Sequence, residues 1–155
     1  MLIGDPDGPP RPAPATTVTP IGQVRTAYHD QEHTPSQAAE AARERGRVVI
    51  FPRFRAGLRG IENCRHLWLI THLDQQPEPG DDLEVVPRKA TDGQRYGVFA
   101  TRSPYRPNRL GLSLITVTAV RPGEIDFTGV DLLDGTPVLD LKPWVAGIDV
   151  PPGDR

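Results

Sequence analysis

The stretch of this chain richest in chemistry reads Gly97-Val98-Phe99-Ala100-Thr101-Arg102-Ser103-Pro104-Tyr105-Arg106-Pro107-Asn108-Arg109-Leu110-Gly111-Leu112-Ser113. Pro104 and Pro107 limit its freedom, so two arginines and an asparagine are held as preorganised donors. A guanidinium forks onto carboxylates and phosphates or stacks on bases. A loop with a purely structural task does not need Arg, Ser, Arg and Asn together. A second stretch reads Asp131-Leu132-Leu133-Asp134-Gly135-Thr136-Pro137-Val138-Leu139-Asp140-Leu141-Lys142-Pro143-Trp144. Asp134-Gly135 is a turn signal. Asp131, Asp134, Asp140 and Lys142 crowd around it. Carboxylates there suit ribose hydroxyls or an ammonium, and Lys142 suits a carboxylate. Turn capping and a surface ion pair would explain the same residues with little energetic weight.

Other motifs carry less. No G-x-G-x-x-G follows a strand, and no phosphate loop of the G-x-x-x-x-G-K form exists. Gly57-Leu58-Arg59-Gly60 matches a nucleic-acid backbone clamp, but a plain turn explains it as well. His29 and His33 are four apart, yet Asp30 stands where a zinc protease needs glutamate. With one cysteine, Cys64, a four-ligand metal site would need scattered partners, and no metal is expected. Cys64 and His66 point the same way from a strand, but a thiol entering an apolar run reads as buried structure.

The elements must position these residues. The 155 residues set a prior of one domain, and 37% hydrophobic residues can fill a modest core. Eighteen prolines and 15 glycines leave room for strands and turns rather than repeated long helices. Residues 1–16 read as a flexible proline-rich tail, 17–150 as the folded domain and 151–155 as a short C-terminal tail. Strands are expected at Thr17–Tyr28, Arg47–Phe51, Cys64–Leu73, Leu83–Val86, Gly97–Thr101, Leu112–Val120, Ile125–Leu132 and Val138–Leu141. Cys64–Leu73 holds the continuous run Leu67-Trp68-Leu69-Ile70 and is expected to be central. Arg121-Pro122-Gly123-Glu124 is expected to turn a hairpin. Thr34-Pro35-Ser36-Gln37 reads as a capping box opening a helix through Arg45, stopped by Gly46.

Charge is uneven. The total is −2, which disfavours nucleic-acid binding by bulk charge. Between Arg43 and Arg65, however, seven arginines face Glu44 and Glu62, a local excess of +5. Such a stretch suits an anionic substrate and equally suits an exposed surface. A lone cysteine fits a reducing cytosol, and no apolar run approaches the roughly 20 residues that cross a bilayer. The opening residues lack the order of a signal peptide. A cytoplasmic protein without membrane contact is expected.

The two stretches above, with Ile21-Gly22-Gln23-Val24-Arg25 and Glu62-Asn63-Cys64-Arg65-His66-Leu67-Trp68, resemble the TsaA/TrmO family of S-adenosylmethionine-dependent tRNA methyltransferases. The resemblance runs from about Ile21 to Trp144. It implies a mainly β fold, a small TsaA-like barrel with short helical segments, working as a homodimer. It implies methyl transfer to N6 of a threonylcarbamoyl-modified adenosine next to the tRNA anticodon. Carried over by position, Pro35, Ser36, Gln37, Asp74, Gln75, Arg102, Leu112, Val130, Asp131, Leu132 and Leu133 would contact the cofactor. Ser103, Arg106 and Asn108 would meet the substrate, and Asp134, Asp140 and Lys142 would serve catalysis. Three departures stand out. Arg109 replaces a common proline, Trp144 a common tyrosine, and Gln37-Ala38 a Gln-Gly-like pair that belongs to a loop rather than a helix. A methyltransferase of this fold acting on a small molecule, and a non-catalytic cofactor- or RNA-binding module, remain open alternatives.

Overall fold

The structure is a computed structural model that describes residues 13–30, 32, 34, 44–78, 80–88 and 90–153. Six strands close into an antiparallel barrel: β1 (Gly22–Arg25), β2 (Arg45–Ile50), β3 (His66–His72), β6 (Leu110–Arg121), β7 (Glu124–Thr128) and β8 (Pro137–Pro143). Around the barrel their order is β1-β2-β7-β6-β3-β8. A separate two-stranded ribbon pairs β4 (Glu84–Val85) with β5 (Tyr96–Gly97), and one short helix, α1 (Ala146–Asp149), follows β8. The expected mainly β barrel is what the chain forms.

Period-2 alternation closes it. Val24, Val48, Ile50, Leu67, Leu69, Ile115, Ile125, Phe127 and Val138 point inward and are fully buried. Each such side chain contributes about 1.5–3 kcal/mol of burial. Gly46 is a glycine because a Cβ there would stand 2.6 Å from the Phe127 ring. β6 is long enough to pair with β3 through Thr116 and with β7 beyond it, and a bulge between Val117 and Ala119 turns the corner. Pro122 and Gly123 join β6 to β7. Gly123 has φ 81°, the positive value that the second central residue of a type II turn requires.

Several expectations are corrected. The first strand is confined to Gly22–Arg25, because the Thr26 hydroxyl accepts the Tyr28 amide and donates to the Tyr28 carbonyl, turning the chain there. Of the expected Gly97–Thr101 strand, only Gly97 is strand, as the last residue of β5. Val98–Ala100 form a 3-10 turn closed by the Thr101 amide on the Val98 carbonyl. β7 ends at Thr128, where Gly129 takes φ 92°. The arginine-rich turn after β2 is helical in part, as 3-10 segments at Pro52–Leu58 and Ile61–Asn63. Most of the capping-box helix lies outside the described residues, but Arg45 and Gly46 belong to β2. β3 is central, between β6 and β8. It is not buried on both faces: Leu67, Leu69 and Thr71 point in, while Trp68 and Ile70 lie half-buried on the outer wall.

The antiparallel registers place the start of β6, the end of β3, the start of β8 and the end of β1 at one mouth of the barrel. The segments 73–109, 26–44 and 129–136 all leave from that mouth. The Pro122-Gly123 turn and the 3-10 segments occupy the other.

Candidate functional site

The 98–109 loop is held by its own bonds. Thr101 Oγ1 donates to the Val98 carbonyl at 3.0 Å and accepts the Ser103 amide at 3.2 Å. Arg106 Nη1 donates to the carbonyls of Thr101 and Ser103 at 3.3 and 3.1 Å. Arg106 and Ser103 therefore brace the loop. Arg102 and Asn108 are exposed. Arg102 Nη2 donates to the Leu112 carbonyl at 3.1 Å, which carries its guanidinium back over the first residues of β6.

The 129–136 segment approaches the same strand. Ser113 Oγ donates to Asp131 Oδ1 at 2.7 Å. Arg102 and Asp131 thus converge on consecutive residues of β6, within one chain. Leu112 presents its side chain outward, about half exposed, while Ser113 points inward. Val130 and Leu132 are buried in the core, so their side chains seal the barrel mouth and leave Asp131 and Leu133 toward the surface.

Asp134 is the hub of the turn. Its Oδ1 accepts the Thr26 amide at 3.0 Å, and its own amide donates to the Tyr28 carbonyl at 2.7 Å. Arg25 Nη1 stands 3.5 Å from Oδ2. Gln75 Nε2 donates to the Asp134 carbonyl at 3.1 Å, joining the turn after β3 to the 129–136 segment. Asp74 beside it is exposed. Burial, reinforced by the Glu44 carboxylate, pushes the Tyr28 hydroxyl above its ordinary pKa, so it stays protonated at neutral pH.

Asp140 and Lys142 lie elsewhere. They sit on the outer wall of β8, with Lys142 Nζ 3.4 Å from Asp140 Oδ2. Asp140 pairs with Ile70, and Ile70 with Leu112, so the three form one cross-strand row. Two strand spacings, about 10 Å, separate Asp140 from Leu112. Trp144 is farther along, near the opposite mouth, with its ring edge-on to His66 at 5.8 Å. Pro35, Ser36 and Gln37 lie outside the described residues.

Three residues take roles that the sequence did not give them, Arg109 having been noted only as a departure. Arg109 has φ 46°, a value closed to proline. Its Nη1 donates to the Gln76 carbonyl at 3.0 Å, its Nη2 pairs with Glu78 at 2.8 Å, and its carbonyl accepts the Leu73 amide at 2.8 Å. It clips the two loops of the site together. Ser113 is the buried hydroxyl of β6, and its inward phase beside Ile115 was the available signal. Thr26 holds both Asp134 and the Leu132 carbonyl, through contacts more than a hundred residues apart that no local pattern announces.

The comparisons fit this geometry. The model of the tRNA-methyltransferase O N-terminal domain matches residues 23–150. The chain belongs to this family. A putative S-adenosylmethionine-dependent methyltransferase RcsF of Pseudomonas aeruginosa is 39% identical over 138 residues, covering 88% of this chain and 58% of that protein. A tRNA (adenine(37)-N6)-methyltransferase of Mus musculus is 35% identical, covering 85% of this chain and 31% of that one. The crystal structure of TrmO from P. aeruginosa superposes with a TM-score of 0.73 at 33% identity, covering 93% of this chain and 61% of that one. The chain therefore spans about three fifths of the TrmO structure and less of the mouse protein. All the described site residues fall inside the TrmO domain match.

The donor set suits a sulfonium nucleoside. Carboxylates at Asp74 and Asp131, a guanidinium at Arg102 and an apolar surface at Leu112 are the complements of its ammonium and hydroxyls, carboxylate and ring. Gln76 Oε1 is buried at this mouth without a hydrogen-bond partner among the described residues, a further acceptor available to a ligand. Among the described residues, no group of His, Cys, Asp and Glu is placed to hold a metal, and no helix is long and apolar enough to cross a membrane.

Proposed function

We propose that this chain is an S-adenosylmethionine-dependent methyltransferase that modifies N6 of a threonylcarbamoylated adenosine next to a tRNA anticodon. The observation that carries the reading is the convergence of Arg102 and Asp131 on Leu112 and Ser113 of β6. The cofactor, when bound, supplies a methyl group already activated by its sulfonium. What is left to the chain is placement, and good placement supplies roughly 7–11 kcal/mol of a barrier. Arg102 holds a carboxylate, either the cofactor's or the threonyl group's, while Asp74, Gln75, Asp131 and Leu133 frame the cofactor. Asn108 meets the substrate from a loop that Ser103 and Arg106 keep in shape. The N6 lone pair is delocalised into the ring, so a carboxylate that accepts its proton assists attack. Asp134 and Asp140 are the carboxylates offered, with Lys142 holding Asp140.

The acting unit is a homodimer in the cytoplasm. Leu110, Leu112 and Leu114 of β6 are exposed beside half-buried Trp68 and Ile70 of β3, an apolar wall that a second copy would cover. Labelled methyl transfer by the full chain to total tRNA, with and without prior threonylcarbamoylation, tests the reading. Label confined to the modified tRNA supports it. Transfer to a small molecule instead, or cofactor binding with no turnover on any tRNA, overturns it.

A further inference from the structure

The arginine-rich stretch has no role in the site above, and the structure divides it. Arg53, Arg55, Arg59 and Arg65 lie toward the mouth that carries the Pro122-Gly123 turn, while Arg45 and Arg47 rise on the outer wall of β2. There they meet Arg25 from β1 and Arg121 from β6 around a hollow of about 730 Å³. Its lining acids are Glu124 and Asp126, against four arginines. In a chain of net charge −2, this wall holds a local surplus of cations.

The placement is costly for a purely structural network. Arg25 stands directly opposite Arg47 in the β1–β2 register, and like charges so placed destabilise a sheet. The acids answer only part of it. Asp126 accepts Arg47 Nε at 2.6 Å and Arg121 Nη1 at 2.5 Å, and Glu124 takes Arg47 Nη1 at 3.1 Å. Those bonds fix two guanidinium planes and leave further N–H groups over. Arg45 is exposed, and Arg25 reaches only the edge of Asp134 at 3.5 Å. That last contact also makes the hollow continuous with the turn of the candidate site.

We propose that this arginine wall is the docking surface for the phosphodiester backbone of an RNA substrate, with Arg45 and the N–H groups of Arg25 not turned to Asp134 as its phosphate contacts. The inference rests on the proposed function and extends it: the wall grips the strand while the target base reaches the adjoining mouth. Guanidinium forks match phosphates, and each phosphate neutralised adds to the salt dependence of binding.

The test is equilibrium binding of the full chain to unmodified tRNA transcript and to an anticodon stem-loop, from 50 to 200 mM salt. Arg45→Ala, Arg45→Lys and the double variant Arg25→Ala/Arg45→Ala are compared, with cofactor affinity followed by calorimetry. The double variant is expected to bind roughly threefold or more weakly at 100 mM salt and to lower the log–log salt slope by about two. Arg45→Lys should keep the slope, and cofactor affinity should not change in either Arg45 single variant. An unchanged slope and affinity in the folded double variant overturns the proposal. So does competition by polyglutamate equal to that by RNA, which would assign the wall to an acidic protein. The two readings separate cleanly. Wild-type protein that binds RNA through these arginines without methylating it defeats the proposed function alone. Protein that methylates tRNA while the double variant keeps its slope defeats the docking surface alone.

Discussion

Arg102 and Asp134 have different dependences on their surroundings, and substitution separates them. Arg102 is exposed and donates one bond to a strand carbonyl. Arg102→Ala should leave the melting temperature within about 2 °C and cut methyl transfer roughly tenfold or more, the worth of one charge-assisted bond. Full turnover at saturating cofactor would remove Arg102 from the site. Asp134 also holds the fold, through Thr26. Asp134→Ala should cost about 1–2 kcal/mol in urea unfolding, because it leaves that amide without its partner. Asp134→Asn keeps an acceptor for it. If the carboxylate takes the N6 proton, the Asn variant stays folded and loses turnover. If it retains turnover, Asp140 is the carboxylate that remains.

At the level of loops and strands, Arg109 is the connection that matters most. It sets the 98–109 loop against the turn carrying Asp74 and Gln75. Arg109→Ala and Arg109→Gly should both raise the KM for cofactor several-fold and change kcat little. The Gly variant should be the more stable by about 1 kcal/mol, since glycine accepts φ 46° without strain. Equal KM values in wild type and both variants would show that the clip has no bearing on the pocket. The sequence made some of this legible. Leu67-Trp68-Leu69-Ile70 and Leu112–Val120 announce strands because β-branched and leucine-rich runs fit a pleated wall, and Pro122-Gly123 announces its turn by chemistry alone. Val98-Phe99-Ala100 misleads, being just as apolar. The Val98 amide goes to Leu83 and its carbonyl to Thr101, bonds set by the fold rather than by propensity. Arg109 cannot be read in advance either, because nothing in its type predicts a positive φ. The candidate site was legible as two stretches, but their meeting on β6 depends on barrel closure, which pairs residues far apart in sequence.

For the molecule as a whole, the barrel shows two unlike walls. One, on β6 and β3, is largely apolar and bordered by the Asp140–Lys142 pair of β8, and the other, on β1, β2 and β7, carries the arginines and their acids. The first wall predicts association: Leu114→Glu should convert a dimer to a monomer in sedimentation, and a wild-type chain that sediments as a monomer would refute the dimer. The second wall predicts a pH dependence. The hydrogen bond from Arg47 holds Asp126 below the ordinary carboxylate pKa, against the opposing effect of burial. As pH falls, the unfolded chain therefore binds the proton first. The stabilisation is present in full above about pH 4 and is lost as pH drops through the folded-state value. Asp126→Asn should flatten that acid limb in thermal melts taken between neutral and low pH, and an unaltered limb would assign it to other carboxylates.

Closure has one more consequence. A ring of six strands offers no rim on which a foreign strand could zip, and among the described residues only the small β4–β5 ribbon has backbone to lend. Whatever this barrel associates with, copy or nucleic acid, it must select through the tips of side chains. Its choice of company should thus be rewritable by surface substitutions while the hydrogen-bonded hoop beneath stays intact.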